Sequence, residues 1–234
     1  MDVQSADSFE ILYEDQGVLA VNKPAGLATQ APSQFDSLEK RIRQFFADQS
    51  GDEGCYLGVP HRLDRPVSGV ILFTTKRRAA FKLSRQFERR TIEKQYWAIV
   101  EGRVDPAEGT WRDQLWKVYG QPRAVVVNAD HPEGQGAVLH YRTLATLDTG
   151  SLLQIQLETG RTHQIRVQSS SRGHAILGDT MYGATTTFGP EVGEDRDRAI
   201  ALHARSIAFQ HPTTHERVTL EAPLPGFWPA INPS

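Results

Sequence analysis

The chain has 234 residues, 39% of them hydrophobic and 23% charged, with a formal net charge of −2, enough apolar material for a sizeable core and too little positive charge to coat polyanions indiscriminately. No stretch approaches the roughly eighteen apolar residues of a membrane span, and the polar, acidic start of the chain is unlike a signal peptide, so a cytoplasmic protein is expected. The single cysteine, Cys55, allows no intramolecular disulfide and no cysteine-built zinc site, and reads as a buried or loop thiol.

Residues 9–13 and 18–22 read as a strand pair around a turn at Asp15-Gln16-Gly17, after which Pro24 and Gly26 punctuate the chain. Residues 37–47 carry Leu38, Ile42, Phe45 and Phe46 at helical spacing, with Asp36 as the cap. A loop, His61-Arg62-Leu63-Asp64-Arg65-Pro66-Val67-Ser68-Gly69, leads into a short buried strand over 69–73. Thr75 then caps a helix over 76–88 whose apolar stripe is Ala79, Ala80, Leu83 and Phe87. Residues 92–101 alternate as a strand, with Tyr96 and Ala98 on one face and Gln95, Trp97 and Ile99 on the other. Further strands are expected at 111–116, 137–147, 151–158, 204–211 and 217–221, and a helix over 163–173 begins just after Arg161. Residues 186–198 read as a mobile loop. Many hairpin-like strands with few helices predict the α+β class. No repeat or linker interrupts the chain, so one domain over 8–230 is expected, with tails at 1–7 and 231–234.

Three places invite chemistry. Asp64 lies between Arg62 and Arg65, and a carboxylate among cations can stay ionised and serve as a nucleophile; the plainer alternative is a surface turn with weak ion pairs. Between Lys76 and Lys94 there are eight Lys and Arg against two Glu, either an anion-binding face, with Lys76, Arg85 and Arg89 among its cations, or a solvated helix. His163 and Arg166 are three apart and share a helical face; they suit a substrate wall, or else a helix-start histidine and a surface cation. Tyr96, taken alone, suits a half-buried strand aromatic with a bonded hydroxyl.

A wider pattern joins these places. Ile11-Leu12-Tyr13-Glu14-Asp15 with Val21-Asn22-Lys23-Pro24-Ala25-Gly26-Leu27, then His61-Arg62-Leu63-Asp64, Lys94-Gln95-Tyr96-Trp97-Ala98, Thr159-Gly160-Arg161-Thr162-His163-Gln164-Ile165-Arg166-Val167, Leu177-Gly178-Asp179 and Leu202-His203-Ala204 occur in one order along the chain. In these blocks the sequence resembles the RluA-type pseudouridine synthases. The resemblance implies an α+β fold with a mostly antiparallel mixed sheet and a central RNA-binding cleft. It also implies a cofactor-free, metal-free isomerisation of uridine in ribosomal or transfer RNA; separately, a self-sufficient core of this size is expected to act as a monomer. By residue match it makes Asp64 the nucleophile, Tyr96 the active-site tyrosine and Arg166 the arginine that pairs with the aspartate. Arg62 takes the place of the flipped base, with RNA contacts from His61, Arg161, His163, Lys76, Arg85 and Arg89.

The pattern is departed from at Val67 (commonly Thr), Gln168 (often His) and Ala175 (commonly Pro), none of them in the proposed trio. The extra N-terminal RNA-binding domain of some relatives is not expected here. Other readings have less behind them. A metal hydrolase on His61, Asp64, His163 and His203 has no close ligand spacing, and a glycosidase has no second acid in a matching block. An RNA-binding protein without catalysis would not need Asp64, Tyr96 and Arg166 intact.

Overall fold

The computed structural model describes residues 9–51, 54 and 56–230; the expected tails at 1–7 and 231–234 and the Cys55 thiol lie outside the described residues. The span expected as one domain packs as two compact units. The first is built from the chain up to Glu93 with Glu194–Asp197 and Ala204–Pro225, the second from Lys94–Gly193, Arg198–His203 and the stretch from Gly226. No helix among the described residues is long and apolar enough to cross a membrane.

In the first unit, β1 (Glu10–Asp15) and β2 (Val18–Lys23) form an antiparallel hairpin. Gln16 (φ 42°) and Gly17 (φ 95°) make its two-residue turn, the doubly positive combination whose twist suits adjacent strands. Strand β3 (Ser68–Thr74) pairs antiparallel with β2 and is buried along its whole length. Beyond it comes β9 (Leu202–Gln210), in this unit from Ala204, with β10 (Arg217–Glu221) antiparallel on its far side. At the β3–β9 approach Gly69 has φ 113°, and a Cβ there would strike the Ala204 backbone, so only glycine fits.

Two helices complete this unit. Helix α1 (Leu38–Ser50) buries Leu38 and Ile42 fully. Its cap is Ser37 and not the expected Asp36: Ser37 is the extended residue before the first turn, and its hydroxyl accepts from the Lys40 N–H at 3.4 Å. Asp36 pairs with Arg41 at 2.6 Å instead. Helix α2 (Arg77–Glu88) buries Ala79 and Leu83, and Phe87 is half-buried. Thr75 does not cap it, because the extended cap position falls one residue later, at Lys76, whose side chain makes no capping bond.

The second unit is an antiparallel sheet in the order β4 (Glu93–Glu101), β8 (Gly150–Leu157), β7 (Gln135–Leu147), β5 (Glu108–Lys117) and β6 (Ala124–Val127). β6 was not expected; it is a four-residue apolar run with no alternation to announce it. Helix α3 (Gln164–Ser170) is shorter than predicted at both ends. His163 is its cap, in the left-handed region at φ 53°, and past Ser170 the chain winds through turns to Gly173 at φ 81°. The segment 186–198, expected as a mobile loop, carries no regular structure apart from a 3-10 turn at Asp195–Asp197, which belongs to the first unit; in the second, Phe188 lies against Phe227 and Trp228 with ring centroids 5.6 and 5.4 Å away. Three helices beside antiparallel strands make this the α+β class predicted.

Candidate active site

Strand β3 starts where the 61–67 loop ends, and that loop is held almost entirely through its main chain. The buried hydroxyl of Thr29 donates to the Leu63 carbonyl at 2.8 Å and accepts from the Leu63 N–H at 3.1 Å. On the other side of Asp64, the Arg65 carbonyl accepts from the Gly26 N–H at 2.9 Å and from Lys23 Nζ at 3.1 Å. The Val67 N–H donates to the Asp64 carbonyl at 3.1 Å, closing the turn. At the loop's start, His61 Nε2 accepts from the Leu72 N–H at 2.9 Å while its ring stacks on Phe87, centroids 4.5 Å apart. The ring nitrogen that accepts must be unprotonated, so His61 is the Nδ1–H tautomer and braces the loop.

Neither neighbouring arginine pairs with Asp64, contrary to the simplest reading of the string. Arg65 donates to Asp197 at 3.1 Å and to the Gly26 carbonyl at 3.4 Å. Arg62 is exposed, and its guanidinium makes no hydrogen bond or ion pair among the described residues. Within this unit the Asp64 charge is felt by Lys23. It is completely buried and donates to the carbonyls of Pro24 (2.8 Å), Leu27 (2.6 Å) and Arg65 (3.1 Å). Burial pushes its ammonium down to about 7 from the usual 10.5; the Asp64 charge opposes that fall and the Arg65 charge adds to it. Lys23 was visible in the sequence only as part of a block, with no role; the available signal was a lysine closing a strand that opens with the apolar run Val18-Leu19-Ala20-Val21.

In the second unit, Tyr96 lies on β4 opposite Ile155 and is 8% exposed, so most of its ring is already covered. Arg166, 4% exposed on α3, forks onto Asp179: Nε to Oδ2 at 2.6 Å and Nη2 to Oδ1 at 2.8 Å, with Asp179 itself 2% exposed. The guanidinium also lies 5.0 Å from the Tyr182 ring centroid. His163 Nδ1 meets the Tyr182 hydroxyl at 2.9 Å, so the left-handed cap turns the imidazole toward the same tyrosine that backs Arg166. Tyr182 is in turn fixed by the Ala124 N–H, which donates to its hydroxyl at 2.9 Å. Arg161 Nε donates to the Gly136 carbonyl at 3.0 Å.

Within each unit the structure brings several of the sequence-predicted residues together. His61, Arg62 and Asp64 share one braced loop; His163 and Arg166 converge on Tyr182; Arg85 and Arg89 line a groove on the first unit. Lys76 is apart from that groove, its stem packed over the turn at Gly17. Tyr182 and Thr29 were missed altogether, since a hydroxyl's service to a distant backbone leaves no local pattern. Gln168, a departure from the family pattern, donates to Asp113 at 2.6 Å, which also accepts from Arg172 at 2.9 Å. Among the described residues no three His, Cys, Asp or Glu side chains form a group that could hold a metal ion.

Comparison with known proteins gives this geometry its context. The sequence model of the RNA pseudouridylate synthase family matches residues 17–171, which include Asp64, Tyr96 and Arg166. The chain is 37% identical over 220 residues to the uncharacterized RNA pseudouridine synthase YhcT of Bacillus subtilis, covering 92% of this chain and 68% of that protein. It is 34% identical over 223 residues to the ribosomal large subunit pseudouridine synthase D of Zymomonas mobilis, covering 92% and 69%. Among solved structures, human RNA pseudouridylate synthase domain containing 1 superposes with a TM-score of 0.74 at 25% identity, over 96% of this chain and 87% of that one. Human RNA pseudouridylate synthase domain containing 4 shares the fold, with a TM-score of 0.75 at 24% identity over 93% and 89%. The chain belongs to the RluA-type family of RNA pseudouridine synthases, and the enzyme is an isomerase.

Proposed function

We propose that the enzyme converts a uridine of structured ribosomal or transfer RNA to pseudouridine with Asp64 as nucleophile, Tyr96 and Arg166 as its active-site partners, and no cofactor. The observation that carries this reading is the 61–67 loop: Asp64 is half-buried on a backbone fixed from both sides, beside an arginine whose guanidinium is unspent. Preorganisation of that kind suits a carboxylate that must meet a ribose at fixed distance. The C1′–N1 bond breaks, uracil turns, a bond forms from C1′ to C5, and the proton on C5 is lost while N1 gains one.

Arg62 fills the gap left by the extracted base, because a planar guanidinium both stacks and donates. Arg166 supplies a cation whose orientation Asp179 holds. For Tyr96, an 8% exposed ring favours contact through an edge or the hydroxyl over a broad stacking face. Arg161, His163, Lys76, Arg85 and Arg89 are assigned to RNA contacts, and His61 to holding the loop that makes them possible. Ribosomal RNA is the first substrate to test, since the Zymomonas relative carries a ribosomal name. The enzyme is taken to act as a cytoplasmic monomer.

The test is tritium release from RNA labelled at uridine C5, with wild type and Asp64→Ala, on ribosomal and transfer transcripts. Release by wild type alone is expected; release by both would remove Asp64 as the nucleophile. Arg62→Ala is expected to slow turnover of structured RNA more than of a short single strand, and equal loss on both would count against base extraction.

A further inference from the structure

The first unit carries an open groove of about 720 Å³ between α2 and the β9–β10 hairpin. Arg78, Phe81, Lys82, Arg85 and Arg89 line one wall and Arg217 the other, and no carboxylate lines it. The walls are tied together: Lys82 Nζ donates to the Pro212 carbonyl at 2.5 Å, and the Gln86 amide exchanges hydrogen bonds of 2.8 and 2.9 Å with the Gln210 backbone. Arg217 is spent on Glu93 at 2.7 Å. Arg78, Arg85 and Arg89 make no ion pair among the described residues. Spaced seven and four residues apart, they fall on one helical face across about 16 Å.

Beside them Phe81 is 63% exposed, with the Arg85 guanidinium 5.6 Å from its ring centroid. Like charges on one face repel, and an exposed phenyl ring costs hydrophobic free energy, so both are relieved by a ligand that is anionic and flat-faced. An acidic peptide would answer the charges and leave Phe81 bare. Single-stranded RNA answers both, with phosphates on the guanidinium groups and a base on the ring. The same helix braces the motif loop through Phe87 and His61.

We infer that this groove holds a single-stranded stretch of the substrate RNA outside the target uridine, with one base stacked on Phe81 and phosphates on Arg78, Arg85 and Arg89. The inference rests on the proposed RNA substrate. The experiment measures binding of a labelled single-stranded 12-mer RNA to the full chain by fluorescence anisotropy across salt concentrations, alongside tritium release from structured RNA. Phe81→Ala should raise Kd roughly five- to hundredfold, and Phe81→Trp should restore binding. Replacing Arg78, Arg85 and Arg89 together with Gln should reduce the slope of log K against log salt by about 2, at roughly 0.7 per phosphate contact. All four side chains are on the surface, and circular dichroism checks the fold.

If wild type releases tritium while these variants keep wild-type Kd and salt slope, the groove assignment fails and the enzymatic reading stands. No release by wild type on any RNA overturns that reading and the inference with it. Displacement of the 12-mer by polyglutamate, with Phe81→Ala binding RNA as tightly as wild type, would identify a site for acidic segments instead.

Discussion

Replacing Asp179 with Asn probes whether the Arg166 fork is a built part of the enzyme. Two charge-assisted hydrogen bonds of 2.6 and 2.8 Å join side chains that are 4% and 2% exposed. Asparagine has nearly the same shape, but it offers one acceptor and turns an N–H₂ toward the guanidinium at the other. Removing one member of a buried ion pair costs about 3 to 5 kcal/mol. At about 2 to 4 °C per kcal/mol for a chain this long, the melting temperature should fall by roughly 6 to 20 °C. Thermal and urea denaturation of wild type, Asp179→Asn, Arg166→Met and the double variant close a cycle. The double variant should lose less than the sum of the singles by about 2 kcal/mol or more, because it leaves neither charge of this pair facing a neutral partner. Tritium release by Asp179→Asn at a permissive temperature should show a reduced kcat. A melting temperature within about 1 °C of wild type, or additive singles, would refute the reasoning.

Lys23 carries a pH signature. Its folded ammonium titrates near 7 against 10.5 unfolded, so between those values the unfolded chain holds the extra proton and stability rises with pH. That contribution is complete above 10.5 and lost as pH falls to 7. Urea denaturation at pH 7 and pH 9 should show wild type gaining about 2 kcal/mol relative to Lys23→Met, and parallel behaviour of the two proteins would exclude the buried titration. Thr29→Val strands the Leu63 N–H and carbonyl and should cost about 1 to 3 kcal/mol, with kcat falling and KM held; an unchanged kcat would mean that Asp64 does not depend on this brace. Gly69→Ala should cost about 2 kcal/mol or more through left-handed strain and collision with Ala204, and wild-type melting would contradict the close approach of β3 and β9.

Strand positions were legible wherever alternation or an apolar run was long enough, as along β4, β7 and β10, and the motif loop stood out through its charges. Boundaries failed where neighbouring residues competed for one job: Ser37 displaced Asp36 because backbone torsion, not side-chain type, selects the cap. The site's supports were hidden for a different reason. Thr29 serves Leu63 across 34 residues and Asp179 serves Arg166 across 13, and no local periodicity encodes a partner at that distance. The string around Asp64 even misled, since adjacency suggested that Arg65 answers its charge, while the fold sends Arg65 to Asp197 and sets Lys23 within reach of the Asp64 charge.

Because the 61–67 loop is gripped by its peptide groups, its shape is insulated from the identity of Arg62. Under the roles proposed for Arg62 and Asp64, such a scaffold separates tenure from vocabulary: position 62 is open to mutation for a new RNA while Asp64 stays where the backbone keeps it. On that assignment, laboratory variants at position 62 change what is read without changing how the carboxylate is held.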